Sequence, residues 1–175
     1  VARLVLEREG HNVKFTQGAV LLHGDQGQAA GAEQLLAERK KIGALEPGEA
    51  AVTPAFGLSA NYIIHTVGPV WVDGEHGEFD RLSSCYRKSL LLARQLGCAS
   101  IAFPLISTGV YGFPRDRALE IALKEFSDFL YADPGEDPGP EDESEMEITL
   151  VVFDRRAFEL STALQEDVRQ YIDEN

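Results

Sequence analysis

Residues 104–114 read PLISTGVYGFP, a set of residue types suited to holding a phosphate-bearing ligand. Gly109 and Gly112 let the backbone approach a ligand and adopt positive φ. Ser107 and Thr108 add hydroxyl donors, and Tyr111 offers a ring that can close over a ribose or stack on a base. Backbone N–H groups around residues 109–112, Val110 among them, suit an anion-binding concavity, and the dipole of a following helix adds positive potential. These parts fit a diphosphate better than a lone carboxylate. The stretch is not a P-loop, because no Lys follows the glycines, and it is not the G-x-G-x-x-G dinucleotide fingerprint. On spacing alone, a tight turn whose glycines merely permit the bend is an equal reading.

Other chemistry-bearing residues are scattered. His11, His23, His65 and His76 lack the spacing to Cys or carboxylates that a zinc site needs, so no metal is expected. Cys85 and Cys98 suit neither a disulfide framework nor a metal site and read as reduced core thiols, which fits a cytosolic setting. No redox cofactor is suggested. His23 and Asp25 lie two apart at the end of an apolar run. They are able to form an acid–base pair, and a His–Asp contact with no catalytic role is the plainer reading. No catalytic residue is assigned.

The elements that must position the glycine stretch can be read from periodicity. Short apolar runs ARLVLE, GAVLLH (18–23), EAAVTP (49–54), NYIIHTV (61–67), ASIAFPL (99–105) and EITLVVF (147–153) read as strands. Several are continuous rather than alternating, as in strands covered on both faces. Helical stripes lie between them. They are Ala32, Leu35, Leu36 and Ile42 in 31–42, and Leu82, Tyr86, Leu90, Ala93 and Leu96 in 79–96. Ala118, Ile121, Ala122, Phe126 and Phe129 follow in 114–131, and Ala157, Leu160, Leu164, Val168 and Tyr171 in 155–173. Gly97 reads as a stop after the second helix, Pro114 as the first position of the third, and Asp154 as the N-cap of the fourth. Strand and helix alternate, so an α/β sheet sandwiched by helices is expected. The glycine stretch then leaves a strand and enters a helix, where α/β folds bind ligands.

With 175 residues, the chain is expected to form one domain spanning 1–175. No apolar run is long enough for a membrane-spanning helix. The opening VARLVLEREG has no basic segment ahead of an apolar core, so no secretory signal is expected, and the lack of an initiator Met fits a processed chain or a domain cut from something longer. A cytoplasmic location is expected, or a nuclear one in a eukaryote. The net charge of −13 disfavours sequence-independent binding to nucleic acid, which needs Lys and Arg against phosphates. It does not oppose a small anion held by backbone N–H groups. Residues 132–147, ADPGEDPGPEDESEME, carry eight acidic residues, three prolines and no base. They read as a mobile acidic loop insertion between the third helix and the last strand, and alternatively as a docking loop for a basic protein partner.

The segment SIAFPLISTGVYGFP resembles the second ligand loop of macro domains, a family that binds ADP-ribose. ANYIIHTVGPVW (60–71) is similar to that family's central strand segment, and GEAAVTPAFGLSANYIIHTVGP, LSSCYRKSLLLARQLGCASIAF and ITLVVFDRRAFEL fall in its order and spacing. The resemblance covers roughly 31–175 and implies a three-layer α/β/α sandwich with a central mixed sheet. It also implies that residues 107–112, within the loop 106–113, wrap the diphosphate and distal ribose, and that Phe153 stacks near adenine or is ordinary core. His65 falls in the family's strand motif and reads as a hydrogen-bonded structural residue; Trp71 reads as packing or rim.

The N-terminal part departs from the family. Active members follow a first strand with GDIT, then DAIVNAAN and a poly-glycine loop. Here EGHNV sets Gly10 and His11 in that first place, with His11 where the adenine-recognising Asp would stand. GAVLLHGD puts Leu22 and Asp25 where two asparagines are expected, and the poly-glycine turn is shortened, with Gly24, Gly27 and Gly31 as a smaller substitute. Leu22 cannot hydrogen-bond a ribose, and an ionised Asp25 opposes a diphosphate. Three functions follow: a module binding ADP-ribose, a related nucleotide or an ADP-ribosylated protein; a hydrolase removing ADP-ribose; or a degenerate macro fold serving as an interaction scaffold.

Overall fold

The structure, a computed structural model, describes residues 4–8, 18–21, 32–56, 60–131 and 146–152. Six strands form one sheet: β1 (Leu4–Arg8), β2 (Gly18–Leu21), β3 (Ala50–Pro54), β4 (Tyr62–Thr66), β5 (Ser100–Pro104) and β6 (Glu147–Val152). Their order is β1-β6-β5-β2-β4-β3. Every neighbouring pair is parallel except β3 against β4, so the sheet is mixed with one antiparallel edge. Pro54 sits on that edge strand, where a missing N–H is tolerated.

Among the described residues, three helices connect the strands: α1 (Ala32–Ile42), α2 (Glu78–Gln95) and α3 (Arg115–Tyr131). Adjacent residues of β4 show the layering. Ile64 joins the core made with Leu82, Tyr86 and Leu90 of α2, whereas Ile63 packs with Leu35 of α1. Alternation along a strand sends these two side chains to opposite faces, so helices cover both sides of the sheet. The expected three-layer α/β/α sandwich is what the chain forms. In β5, Ile101, Ala102 and Phe103 are all buried, which explains why that strand reads as a continuous apolar run. Among the described residues, no helix is long and apolar enough to cross a membrane.

The larger core lies on the α2–α3 side. Tyr86, Phe103 and Phe126 form an aromatic triangle with ring centroids 5.1–5.5 Å apart. Each such burial contributes about 1.5–3 kcal/mol. Helix α2 ends as its sequence suggests. Gly97 takes φ 64°, its N–H bonds Arg94 O at 3.0 Å, and Cys98 N–H bonds Ala93 O at 2.9 Å. This is a Schellman motif, for which a glycine at positive φ is the natural residue. Pro114 stands one place earlier than expected. It precedes the first helical residue, and its carbonyl accepts the N–H of Ala118 at 2.9 Å. The expected helix at 155–173 and residues 132–145 of the acidic segment lie outside the described residues.

Candidate functional site

Strands β4 and β5 flank β2 and run parallel to it, so the chain leaving each emerges at the same edge of the sheet. Two loops meet there. One runs from β4 to α2 through residues 67–77, and the other from β5 to α3 through residues 105–114. They touch at two places. Trp71 N–H bonds Tyr111 O at 2.9 Å, and Gly68 lies directly against Ser107.

The loop 105–114 is folded by its own short-range bonds. Thr108 Oγ1 donates to Leu105 O at 2.9 Å, Gly112 N–H to Gly109 O at 3.0 Å, and Phe113 N–H to Ser107 O at 3.0 Å. Gly112 has φ 69°, which explains that glycine as a turn residue. Gly109 is different. Its φ is not in the left-handed region, and a Cβ on it would meet no described atom within 4 Å. Nothing in the described fold requires glycine at 109.

The backbone N–H groups of residues 107, 109 and 110 find no acceptor among the described residues, whereas that of Thr108 closes the turn at 106–107 on Leu105. The side chain of Val110 is fully exposed, so only its backbone faces the loop. The three open groups lie just ahead of the N-terminus of α3, where the helix dipole adds positive potential. Open amides next to a helix start are suited to an anion.

The hydroxyls do not behave as expected from sequence. The Thr108 proton is committed to Leu105 O, and Ser107 is 3% exposed with Oγ turned into the protein, where it has no partner among the described residues. The Thr108 hydroxyl braces the loop by its bond, and Ser107, at φ 65°, packs its hydroxyl against Gly68. Tyr111 is half-buried beside the Trp71 loop. Gly10, His11, Leu22, His23, Asp25 and Phe153 lie outside the described residues.

His65 sits in β4 with Nε2 2.9 Å from the buried Thr53 hydroxyl across the β3–β4 pair. Burial, followed by the nearby Arg39 charge, lowers its pKa to about 4, so the ring is neutral near pH 7. It is a hydrogen-bonded strand residue, as expected. Trp71 packs edge-on against Phe113 and Phe79, with centroids 4.8 and 5.6 Å away.

The sequence reading missed what organises the loop 67–77. Glu78 is 1% exposed, and its carboxylate accepts the N–H groups of Val72, Asp73 and Gly74 at 3.1–3.4 Å and that of His76 at 2.7 Å. Desolvation pushes its pKa up, but hydrogen bonds from backbone N–H groups outweigh that and bring it to about 2. His76 Nδ1 lies 2.9 Å from Asp73 Oδ1, and with Glu78 these groups come within 4.8 Å of one another. The Glu78 oxygens are already occupied by four N–H donors, so this cluster is a loop anchor. An acidic residue opening a helix was the available signal, but its reach to four upstream amides is a tertiary fact.

A family model described as Macro domain matches residues 24–122. A macro domain-containing protein of Caldanaerobacter subterraneus subsp. tengcongensis is 42% identical over 142 residues, covering 81% of this chain and 75% of that one. An O-acetyl-ADP-ribose deacetylase of Salmonella newport is 54% identical over 92 residues, covering 53% of this chain and 51% of the relative. The chain spans about half the length of several curated relatives it matches. A solved mutant of the Oceanobacillus iheyensis macrodomain with ADPR superposes with TM-score 0.70 at 31% identity, covering 91% of this chain and 89% of that one. With more than half of the chain matched by the family model and a 42% identical relative covered over three quarters of its length, this chain belongs to the macro domain family.

Proposed function

We propose that the chain binds ADP-ribose, free or attached to a protein, through the loop 106–113. The observation that carries this reading is the set of three open N–H groups at residues 107, 109 and 110 beside the start of α3. Backbone amides neutralise a diphosphate without cationic side chains, which is how a chain of net charge −13 can hold an anion. Gly109 supports the same reading, since the space above it is what a phosphate pressed against the backbone would occupy. Tyr111, half-buried next to these amides, offers a ring to pack on the distal ribose. The relation to a macrodomain solved with ADPR supports the ligand class.

Calorimetric titration with ADP-ribose, with AMP and ADP as controls, tests the proposal. Micromolar or tighter binding that favours ADP-ribose is the expected result. Gly109→Glu should abolish it without unfolding the protein, because the position is open and its φ is ordinary. Unchanged affinity in that variant would move the site elsewhere.

A second reading, hydrolysis of an ADP-ribose ester or removal of ADP-ribose from protein, is favoured by 54% identity to the relative named a deacetylase. Leu22 and Asp25, in place of two family asparagines, weigh against it. Time-dependent release of ADP-ribose above a no-protein control, on ester- and amide-linked substrates, decides between binding and turnover.

A further inference from the structure

The short-range bonds of the loop do not by themselves account for its three open amides. Ser107 has φ 65°, a conformation that side-chain-bearing residues adopt only when neighbours impose it. The neighbours come from two elements distant in sequence.

The first is Tyr86, in the middle of α2. It is completely buried, its ring wedged against Phe103 and Phe126. A Phe would fill that space equally well. The hydroxyl is what differs: it accepts the N–H of Ile106 at 3.0 Å and reaches Pro104 O at 3.5 Å. It therefore grips the backbone on both sides of Leu105, where the chain leaves β5. Ile106 is itself 4% exposed, so without that oxygen its N–H would be buried with no acceptor among the described residues, and the peptide would have to turn.

The second is Gly68. Its own φ is outside the left-handed region, so its backbone does not need glycine. Its surroundings do. A Cβ there would lie 2.1 Å from Ser107 Oγ and 2.7 Å from Ile106 Cγ2, both far inside contact distance. The missing side chain is the space that the inward-turned Ser107 hydroxyl fills.

We propose that the Tyr86 hydroxyl and the bare backbone of Gly68 are a two-sided clamp that positions the ligand loop, holding residues 106 and 107 in the conformation that leaves the amides of 107, 109 and 110 open. Neither residue touches the ligand; both act through the loop. Their effect on ADP-ribose rests on the function proposed above, whereas their effect on the loop does not.

The test pairs a ligand readout with a loop readout. Tyr86→Phe keeps the ring packing and removes only the oxygen. It should weaken ADP-ribose binding about tenfold, speed hydrogen exchange of the Ile106 amide by at least about tenfold, and shift the amide resonances of 105–110 more than those of the sheet. Gly68→Ala should weaken binding further. Adding Ser107→Gly should recover part of that loss, because the colliding Oγ is gone and glycine accepts positive φ without strain. A role in stability alone would lower the melting temperature of each variant without this rescue. Tyr86→Phe with unchanged Ile106 exchange and unshifted loop resonances overturns the clamp. So does a double variant no better than Gly68→Ala. Should the wild type bind no ADP-ribose, the ligand reading falls, and the exchange and resonance data still judge the clamp.

Discussion

The two loops that meet above β2 solve the same problem in opposite ways. Each leaves a parallel strand and enters a helix, and each must place a run of backbone N–H groups. The loop 67–77 gives four of its amides to one buried carboxylate, Glu78. The loop 105–114 leaves three of its amides open, and its own short-range bonds are joined by contacts from outside, from Tyr86, Gly68 and the Trp71 N–H. A loop that satisfies its own donors is a brace. A loop whose donors stay open is, on the proposed reading, where the ligand sits, and the two loops touch at Trp71–Tyr111 and Gly68–Ser107.

Substituting one glycine in each loop sharpens that contrast most. Gly109→Glu should cost at least about a hundredfold in ADP-ribose affinity, or about 2.7 kcal/mol, with the melting temperature almost unchanged. Gly74→Ala should do the reverse. Gly74 has φ 93°, and a Cβ there would lie 2.8 Å from Trp71 and 2.9 Å from Phe79. Loss of about 2–3 kcal/mol of stability is expected, with affinity per folded molecule retained. Denaturation and titration of both variants together check this; a Gly109→Glu protein that melts early yet binds normally would reverse the roles of the two loops.

Acid should act on the brace and its strand. The Glu78 pKa is depressed to about 2, so its stabilising contribution is present above about 4.5, the ordinary carboxylate value, and is lost as pH falls towards 2. Glu78→Gln should lower the melting temperature at pH 7 and flatten its fall below pH 4.5. His65, in β4, is depressed to about 4, so stability is complete above about 6.5 and declines as pH falls through 4. The decline should be on the order of 2 kcal/mol, solvent around the half-buried ring screening the rest, and His65→Gln should remove that part of the slope. Melting curves from pH 7.5 to 3 separate the two windows.

The smallest effect is expected at Thr108. Removing its bond to Leu105 O in Thr108→Val should cost about 1 kcal/mol and a few-fold in affinity, read by titration. Loss as large as that from Gly109→Glu would mean that the hydroxyl contacts the ligand directly.

Most of the fold was legible because burial repeats along the chain. The apolar runs at 49–54, 61–67, 99–105 and 147–153 correspond to β3, β4, β5 and β6 within a residue or two. The stripes at 31–42, 79–96 and 114–131 correspond to α1, α2 and α3, and Gly97 ends α2 as a glycine stop should. That a loop joins β5 to α3 was legible from its glycines and Pro114. The inward turn of Ser107 and Thr108 was not, because a hydroxyl in a loop has the same letter whether it faces a ligand or a carbonyl. The tasks of Gly68, Tyr86 and Glu78 in shaping the loops were invisible for a related reason. Tyr86 reads as one more apolar stripe residue, and only its 3.0 Å approach to Ile106 N–H gives its oxygen a task.

By itself, the sequence determined the α/β class, the alternation of strands and helices, and the place of the glycine loop between a strand and a helix. These follow from local periodicity and from the backbone freedom of particular residues. Only the tertiary structure decided which amides stay open and what holds them so. That depends on pairs such as Gly68 with Ser107 and Tyr86 with Ile106, in contact across the fold though far apart along the chain, and steric exclusion and hydrogen bonding at such contacts leave no periodic trace in the sequence.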